Sequence, residues 1–521
     1  MIFSLYDSTG IQNYIFSSNK LKEIVGGSEL VRKMFKEFLI GAIKNCNFKY
    51  SDDDKDNMMD VDVRIVYIGG GNAALLYKDK NIMKKVNEEF STILLKNATS
   101  IGYVTAYCEV DIDKDDFKEK RNELLNKLEQ KKNMNFRGTR LLGLPITKPS
   151  ANNEYPAIDS FTEDNREIYI STETKCKRDI LIDNDQFNDF NYNGEKYEFP
   201  MELDELGQSE GENYIGVVHI DGNNMGHEID KFLSEFDDFT EGMKAMRELS
   251  SEIDRVYKLF FEDMVKNLII NIKTEKLKFL ELKNNTLPIR PVIMEGDDIT
   301  FICNGKLALG LAVDILKSIN KKNSVKIRNY EIPISACAGV AIVKSHFPID
   351  RAYKIAEDCC GAAKRKGKFL KAESETVGNW LDFHIVNSGM TDELDEMRAK
   401  NYNLGSLKDP SLPPLSGDNN KLPQYNLLYR PWCIMDEGKY SWGNFEKIFE
   451  SFKNWPRSKL MNLRDAFLEG REEVVDFMIE VRSKKLDVCK IDDVSYESLF
   501  DVYDMTPYYD VIEAFDYYIE I

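Results

Sequence analysis

The sequence predicts an α+β protein in which one βαββαβ unit occurs twice and a mostly helical region follows. Three observations carry that prediction. Two long stretches run through the same order of apolar strands and amphipathic helices, and each has a glycine-containing hairpin at its centre. After residue 385 a proline-rich stretch leads into a region of helical spacing. At 521 residues the chain has room for roughly three or four domains, each with its own core.

The first unit, residues 1–144, opens with the β-prone "MIFSLYD". Residues 19–45 carry apolar positions at helical spacing, and "VRIVYIGGGNAALLY" reads as two short strands around a glycine turn. A helix over 80–97, the strand "GYVTAYCEVDI" and a charged helix over 113–132 complete it. Residues 145–210 are rich in Asn, Asp and Glu and read as a connector or small insert. The second unit, residues 211–388, repeats the order: "YIGVVHID", a helical pattern over 228–272, a hairpin at 292–303, a helix over 306–320, "IPISACAGVAIV" and a helix over 349–366. Within residues 389–521 the stretch "KDPSLPPLSGDNNKLP" leads into a mostly helical region; Trp432, Trp442 and Trp455 there read as core.

Composition narrows the function. Lys plus Arg of 70 against Asp plus Glu of 89 leaves a net charge of −19, which excludes a chain that grips a nucleic-acid backbone over its whole surface but not a local basic pocket. No C-x-x-C occurs among the nine cysteines, so they read as reduced, mostly buried thiols with no zinc site. With no leader pattern and no apolar run of membrane length, the expected location is the cytoplasm.

The hairpin "VIMEGDDITFIC" sets Asp297 and Asp298 side by side at a turn. In a βαββαβ unit the end of the first strand lies beside that turn, so Asp221 approaches both. Three crowded carboxylates repel one another, and a hard divalent ion with oxygen ligands resolves the repulsion. Two Mg²⁺ or Mn²⁺ ions about 4 Å apart activate a 3′-hydroxyl and neutralise leaving pyrophosphate in polymerase and cyclase chemistry. Gly296 allows a tight turn, while Gly222 and Gly226 in "DGNNMG" leave room for a phosphate near main-chain N–H groups. Lys364, in "AEDCCGAAKRKGKFL", has two readings: an ammonium for a triphosphate, or a cation answering its helix's C-terminal dipole.

With these residues assembled, the chain resembles the Cas10 family, the large subunit of type III CRISPR effectors. "YDSTGIQNYIFSSNKLKEIVGGSELV" and "YIGGGNAALL" are similar to that family's first palm domain; "HIDGNNMG", "EGDD", "SACAGVAIVKSHFPIDRAYKIAEDCCGAAKRKGK" and "LDFHIV" follow its second palm in order. The likeness covers about residues 1–390, and the stretch ending at Lys364 also resembles the closing helix of GGDEF diguanylate cyclases. It implies two ferredoxin-like palms, the second polymerising ATP into a cyclic oligoadenylate messenger in antiviral signalling. By that likeness Asp221, Asp297 and Asp298 are the metal-binding acids and Lys364 contacts phosphate. The first copy has Asp7 in place of Asp221 but a Gly69-Gly70-Gly71-Asn72 turn without acids. It is therefore expected to cradle a second nucleotide, with Asp7 and Asn72 as polar contacts and Gly70 and Gly71 allowing close approach.

Departures from the family pattern bear on activity. Glu295 stands where the family turn has its first glycine, and Asn223 replaces a second Asp. The four histidines include no His-Asp dipeptide and the connector holds only Cys176, so neither a DNA-cleaving HD domain nor a zinc insert is expected. His384 reads as a core residue; His219 and His227 flank Asp221 without an assigned role. Two alternatives remain beside the cyclase: a catalytically silent scaffold among effector subunits and guide RNA, and a GGDEF-like dinucleotide cyclase using GTP.

Overall fold

The computed structural model describes the chain except residues 53–59, 70, 135–143, 145, 152, 154, 164, 182–188, 208–212, 372–376, 387–392, 404–425 and 436. Gly70 and the proline-rich stretch 408–423 lie outside the described residues. The fold is α+β, with the predicted duplication visible in the sheets.

In the first unit β1 (Ile2–Thr9), α1 (Leu21–Lys33), β2 (Val63–Gly69), β3 (Asn72–Tyr77), α2 (Lys80–Asn97), β4 (Gly102–Glu109) and α3 (Phe117–Asn133) follow in turn. The second has β5 (Tyr214–Gly222), α4 (Phe239–Lys273), β6 (Ile289–Glu295), β7 (Asp298–Asn304), α5 (Ala308–Lys322), β8 (Ala336–Lys344), α6 (Ile349–Leu370) and β9 (Trp380–Ile385). The spatial orders, β2-β3-β1-β4 and β6-β7-β5-β8, are the same. β9 adds to the second sheet in parallel to β8.

Each central strand is buried on both faces, which explains its nearly unbroken apolar run. Val218 and Ile220 pack in one core with residues of α4 and α5, while Ile215 and Val217 pack in another with residues of α6. Asp116 and Asp238 cap α3 and α4, each accepting a backbone N–H of the first turn. At Gly339, α6 crosses β8 so closely that an added Cβ would lie 1.9 Å from the Ala356 carbonyl oxygen.

The units lean on each other reciprocally. The first strand of each hairpin slips register once, between Ile65 and Tyr67 in β2 and between Pro291 and Ile293 in β6. The carbonyl freed at each slip is bonded by the other unit's first long helix: Arg247 Nε of α4 donates to Val66 O at 2.9 Å, and Ser28 Oγ of α1 donates to Val292 O. Phe16 stacks on Tyr353 of α6 with ring centroids 4.3 Å apart, and Asn19 accepts the Ile349 backbone N–H at 2.9 Å.

The C-terminal region is helical: α7 (Trp442–Phe452), α8 (Arg457–Glu469), α9 (Arg471–Ser483) and α10 (Pro507–Ala514). The three expected core tryptophans are buried, as is His384. The region docks on the second unit through buried ion pairs to Asp382, from Arg398 at 2.8 Å and from Arg430 at 3.9 Å. Lys366 of α6 donates to Tyr429 O at 2.6 Å and lies over the Tyr440 ring. Burial pushes its ammonium down to about 7, against the pull of Asp510.

Local details differ from the sequence reading. The helix expected over 228–272 is two, Met225–Leu233 and α4, because Asp238 caps a fresh start. The strand expected from Ile332 breaks before β8, since Tyr330–Pro333 pairs with Ser324–Ile327 in its own hairpin. Within 145–210 the described residues form two hairpins and a helix, Thr172–Asp179, packed on α1. Six of the nine cysteines are buried and none is in a disulfide. Among the described residues no helix is long and apolar enough to cross a membrane.

Two outcomes test this packing. Gly339→Ala forces α6 off β8 and lowers the unfolding free energy by about 1–3 kcal/mol in denaturant titration. Above pH 7 the folded chain releases the Lys366 proton while the unfolded chain retains it, so wild-type stability rises with pH. Relative to Lys366→Met, the gain between pH 7 and 8.5 approaches about 1.4 kcal/mol per pH unit.

Candidate active site

The site stands at the end of β5. Antiparallel register pairs Asp221 with Asp298 on one side and with Cys337 on the other. Glu295 pairs with Asp298, so Gly296 and Asp297 form a two-residue loop. Gly296 has φ +60° and Asp297 is not in the left-handed region, the II′ pattern that calls for glycine at the first loop position. Glu295 lies within β6 and needs no special backbone conformation, so its bulk does not disturb the turn.

Asp297 folds back over Gly222, where an added Cβ would sit 2.3 Å from Asp297 Oδ2. The space at Gly222 is thus taken by a carboxylate; at Gly226 a Cβ would meet nothing. Burial pushes the Asp297 carboxyl up to about 6, and the charge of Asp221 adds to it. Asp298 Oδ1 receives the Thr300 hydroxyl at 3.4 Å and lies 3.3 Å from His219 Nδ1. Burial disfavours the charged imidazole, yet the Asp298 carboxylate outweighs it and the His219 pKa is raised. His227 is exposed.

Lys364 reaches in from α6. Its Nζ lies 2.5 Å from Asp221 Oδ2 and donates to Gly222 O at 2.9 Å. The dipole reading of this lysine gives way to a specific ion pair within the acidic group.

The donor set suits a hard divalent cation. Its ligands are carboxylate oxygens, and beyond burial the charges of Asp221 and Asp298 add to the upward shift of Asp297, a repulsion that a cation would relieve. Among the described residues, however, no three of His, Cys, Asp or Glu are already drawn together as a closed metal-ligand group. Asp221 is engaged by Lys364, Asp298 by His219 and Thr300, and Asp297 rests on Gly222. Asn223 is buried and its Nδ2 donates to Ser335 Oγ and Gly378 O, so it works as a strut beneath the site.

The first unit repeats the geometry without the acids. Asp7 pairs with Asn72 in register and its Oδ2 lies 2.5 Å from Lys132 Nζ, a lysine of α3 as Lys364 is of α6. Gly71 has φ +72°, with Ser8 Oγ donating to its carbonyl at 2.6 Å.

His219 had a sequence signal that went unused. It precedes Asp221 by two residues on one strand, so both point to the same face. Tyr257, a buried residue of α4 whose pKa is raised by burial and then by Asp297 and Asp221, carried no local signal.

Residues 214–369 match the family model of the Cas10/Cmr2 second palm domain. Among solved structures the chain is similar to a chain of a Csm1-Csm4 cassette in complex with cA4, at 13% identity and TM-score 0.53, covering 99% of this chain and 69% of that one. A cassette in complex with pppApApA gives the same four values. A third, in complex with pppApA, gives 12% identity and TM-score 0.52, with 99% and 69% covered. At these identities the likeness is one of fold. No curated protein matches the chain by sequence.

Lys364 competes with any cation for Asp221. In Lys364→Met, Mn²⁺ binding without nucleotide, followed by electron paramagnetic resonance, tightens by up to about fivefold, the worth of a partly exposed ion pair.

Proposed function

We propose, from the match of residues 214–369 to the Cas10/Cmr2 second palm domain, that this chain is a nucleotidyltransferase making a cyclic oligoadenylate-type messenger from ATP. One observation carries the reading. Asp221 and Asp298 are opposed in register at the end of a buried strand, with Asp297 on the adjoining turn. A group of acids in so little space answers to a cation and a triphosphate rather than to folding.

Asp221, Asp297 and Asp298 would hold two Mg²⁺ or Mn²⁺ ions. Bound there, such ions lower the pKa of an attacking 3′-hydroxyl and neutralise the pyrophosphate that leaves. The chain's own groups do the rest. His219 and Thr300 fix the Asp298 oxygen that faces them. Lys364 exchanges Asp221 for a phosphate oxygen, which keeps an ammonium among the charges as substrate enters. In the first palm, Gly71, Asp7 and Asn72 receive a second nucleotide, and the Lys132 ammonium beside Asp7 offers a second phosphate contact. Structures to which the chain is similar hold cA4, pppApApA and pppApA, a series of adenylates that fits ATP as the monomer. Those structures are Csm1-Csm4 assemblies, which supports other effector subunits as partners; guide RNA enters only through such subunits.

A silent scaffold is the second reading, favoured by the Lys364–Asp221 ion pair, since a lysine can neutralise an acid permanently. Incubation with radiolabelled ATP or GTP and Mn²⁺, with and without target RNA, separates the two. The expected outcome is an ATP-derived oligonucleotide that disappears in the Asp297→Ala/Asp298→Ala double variant and on chelation. Product from GTP alone identifies a GGDEF-like cyclase, and no product from either nucleotide leaves the scaffold.

A further inference from the structure

The acidic turn is held from outside its own hairpin. In a two-residue loop the first loop N–H has no partner within the hairpin, and the Gly296 N–H donates instead to Asp254 Oδ1 of α4 at 3.3 Å. The other Asp254 oxygen is tied to Lys258 at 2.7 Å, one helical turn on, so the acceptor is fixed in direction. Glu295, opposite Asp298 in register, has the Gly71 backbone N–H and Lys36 of the first palm as electrostatic neighbours that favour its carboxylate, against burial and the charge of Asp254. Gly71 is the first-palm counterpart of Asp297, by the registers Gly69 with Asn72 and Glu295 with Asp298. The same face of α4 meets the first palm through Arg247 on Val66 O and Ser250 against Gly69, and the acids through buried Tyr257, whose hydroxyl has no hydrogen-bond partner among the described residues.

We propose that Asp254 and Glu295 are positioning residues that clamp the acidic turn, so that the place of Asp297 and Asp298 in the second palm is set partly by the glycine turn of the first. Glu295, which breaks the glycine pattern of the family turn, is then a functional replacement: a side chain gained for contact between the palms where no backbone freedom was needed. The clamp rests on the reading of Asp221, Asp297 and Asp298 as cation ligands. Residues that orient metal ligands change affinity when removed although they touch no metal.

The test measures Mn²⁺ binding to the full chain without nucleotide by electron paramagnetic resonance, with hydrogen exchange over residues 292–303 alongside. Asp254→Ala and Glu295→Ala are each expected to weaken binding about tenfold and to speed exchange at the turn. Asp254→Asn and Glu295→Gln keep an oxygen acceptor and are expected to restore most of the affinity, a rescue that general loss of stability does not produce. Unchanged Mn²⁺ affinity in both alanine variants, or amide variants as weak as the alanines, overturns the clamp. Wild-type binding in Asp297→Ala/Asp298→Ala overturns the ligand reading itself and the clamp with it.

Discussion

The antiparallel pairing of β5 with β7 puts Asp221 opposite Asp298, and the site follows from that register. A slip of one residue would send Asp221 to the other face of the sheet. Such a slip is blocked by packing on both sides of β5. Ile215 and Val217 are sunk in one core, Val218 and Ile220 in the other, and Gly216 has Ala308 so close that a Cβ there would meet it at 2.3 Å. Burial of a strand on two faces is therefore what allows like charges to be held together at its end. Their repulsion is small beside the apolar area that would have to be exposed to separate them.

Both units answer the charge they gather in the same manner. Asp7 has Lys132 and Asp221 has Lys364, each lysine projecting from the helix after the fourth strand of the unit. Both units also use the register slip in the first hairpin strand as a hook for the other's helix. The two halves differ at the turn, where one keeps glycines and asparagine and the other keeps acids. The two copies thus share a frame and internal counter-ions while the acids at the turn stand on one side only.

The repeated order of strands and helices was legible because it rests on local periodicity, which one segment shows without reference to any other. Asp221, Asp297 and Asp298 were legible for a related reason: in this topology strand ends and hairpin turns are neighbours by construction. Lys364 was legible only as a choice between two roles, since its helix ends in several cations and spacing does not say which one turns inward. The split before α4 was missed because apolar spacing continues across Ser234–Asp238 and only the capping aspartate marks the restart. Asp254 and Glu295 were illegible as a pair. One is an ordinary helix acid some forty positions from the turn, and the other reads as a flaw in a motif until the second glycine loop is beside it.

The contact at Gly339 has a consequence for how Asp221 is freed. With the Ala356 carbonyl and the Cys360 N–H pressed against bare main chain, α6 has no slack to slide or lift. Lys364 can leave the carboxylate only by swinging its own methylene stem. The latch over the site is a single side chain, and motion of that kind runs on a nanosecond scale rather than at the pace of whole segments. Access to Asp221 is then set by what arrives at the acids and what departs, and never by the bolt that guards them.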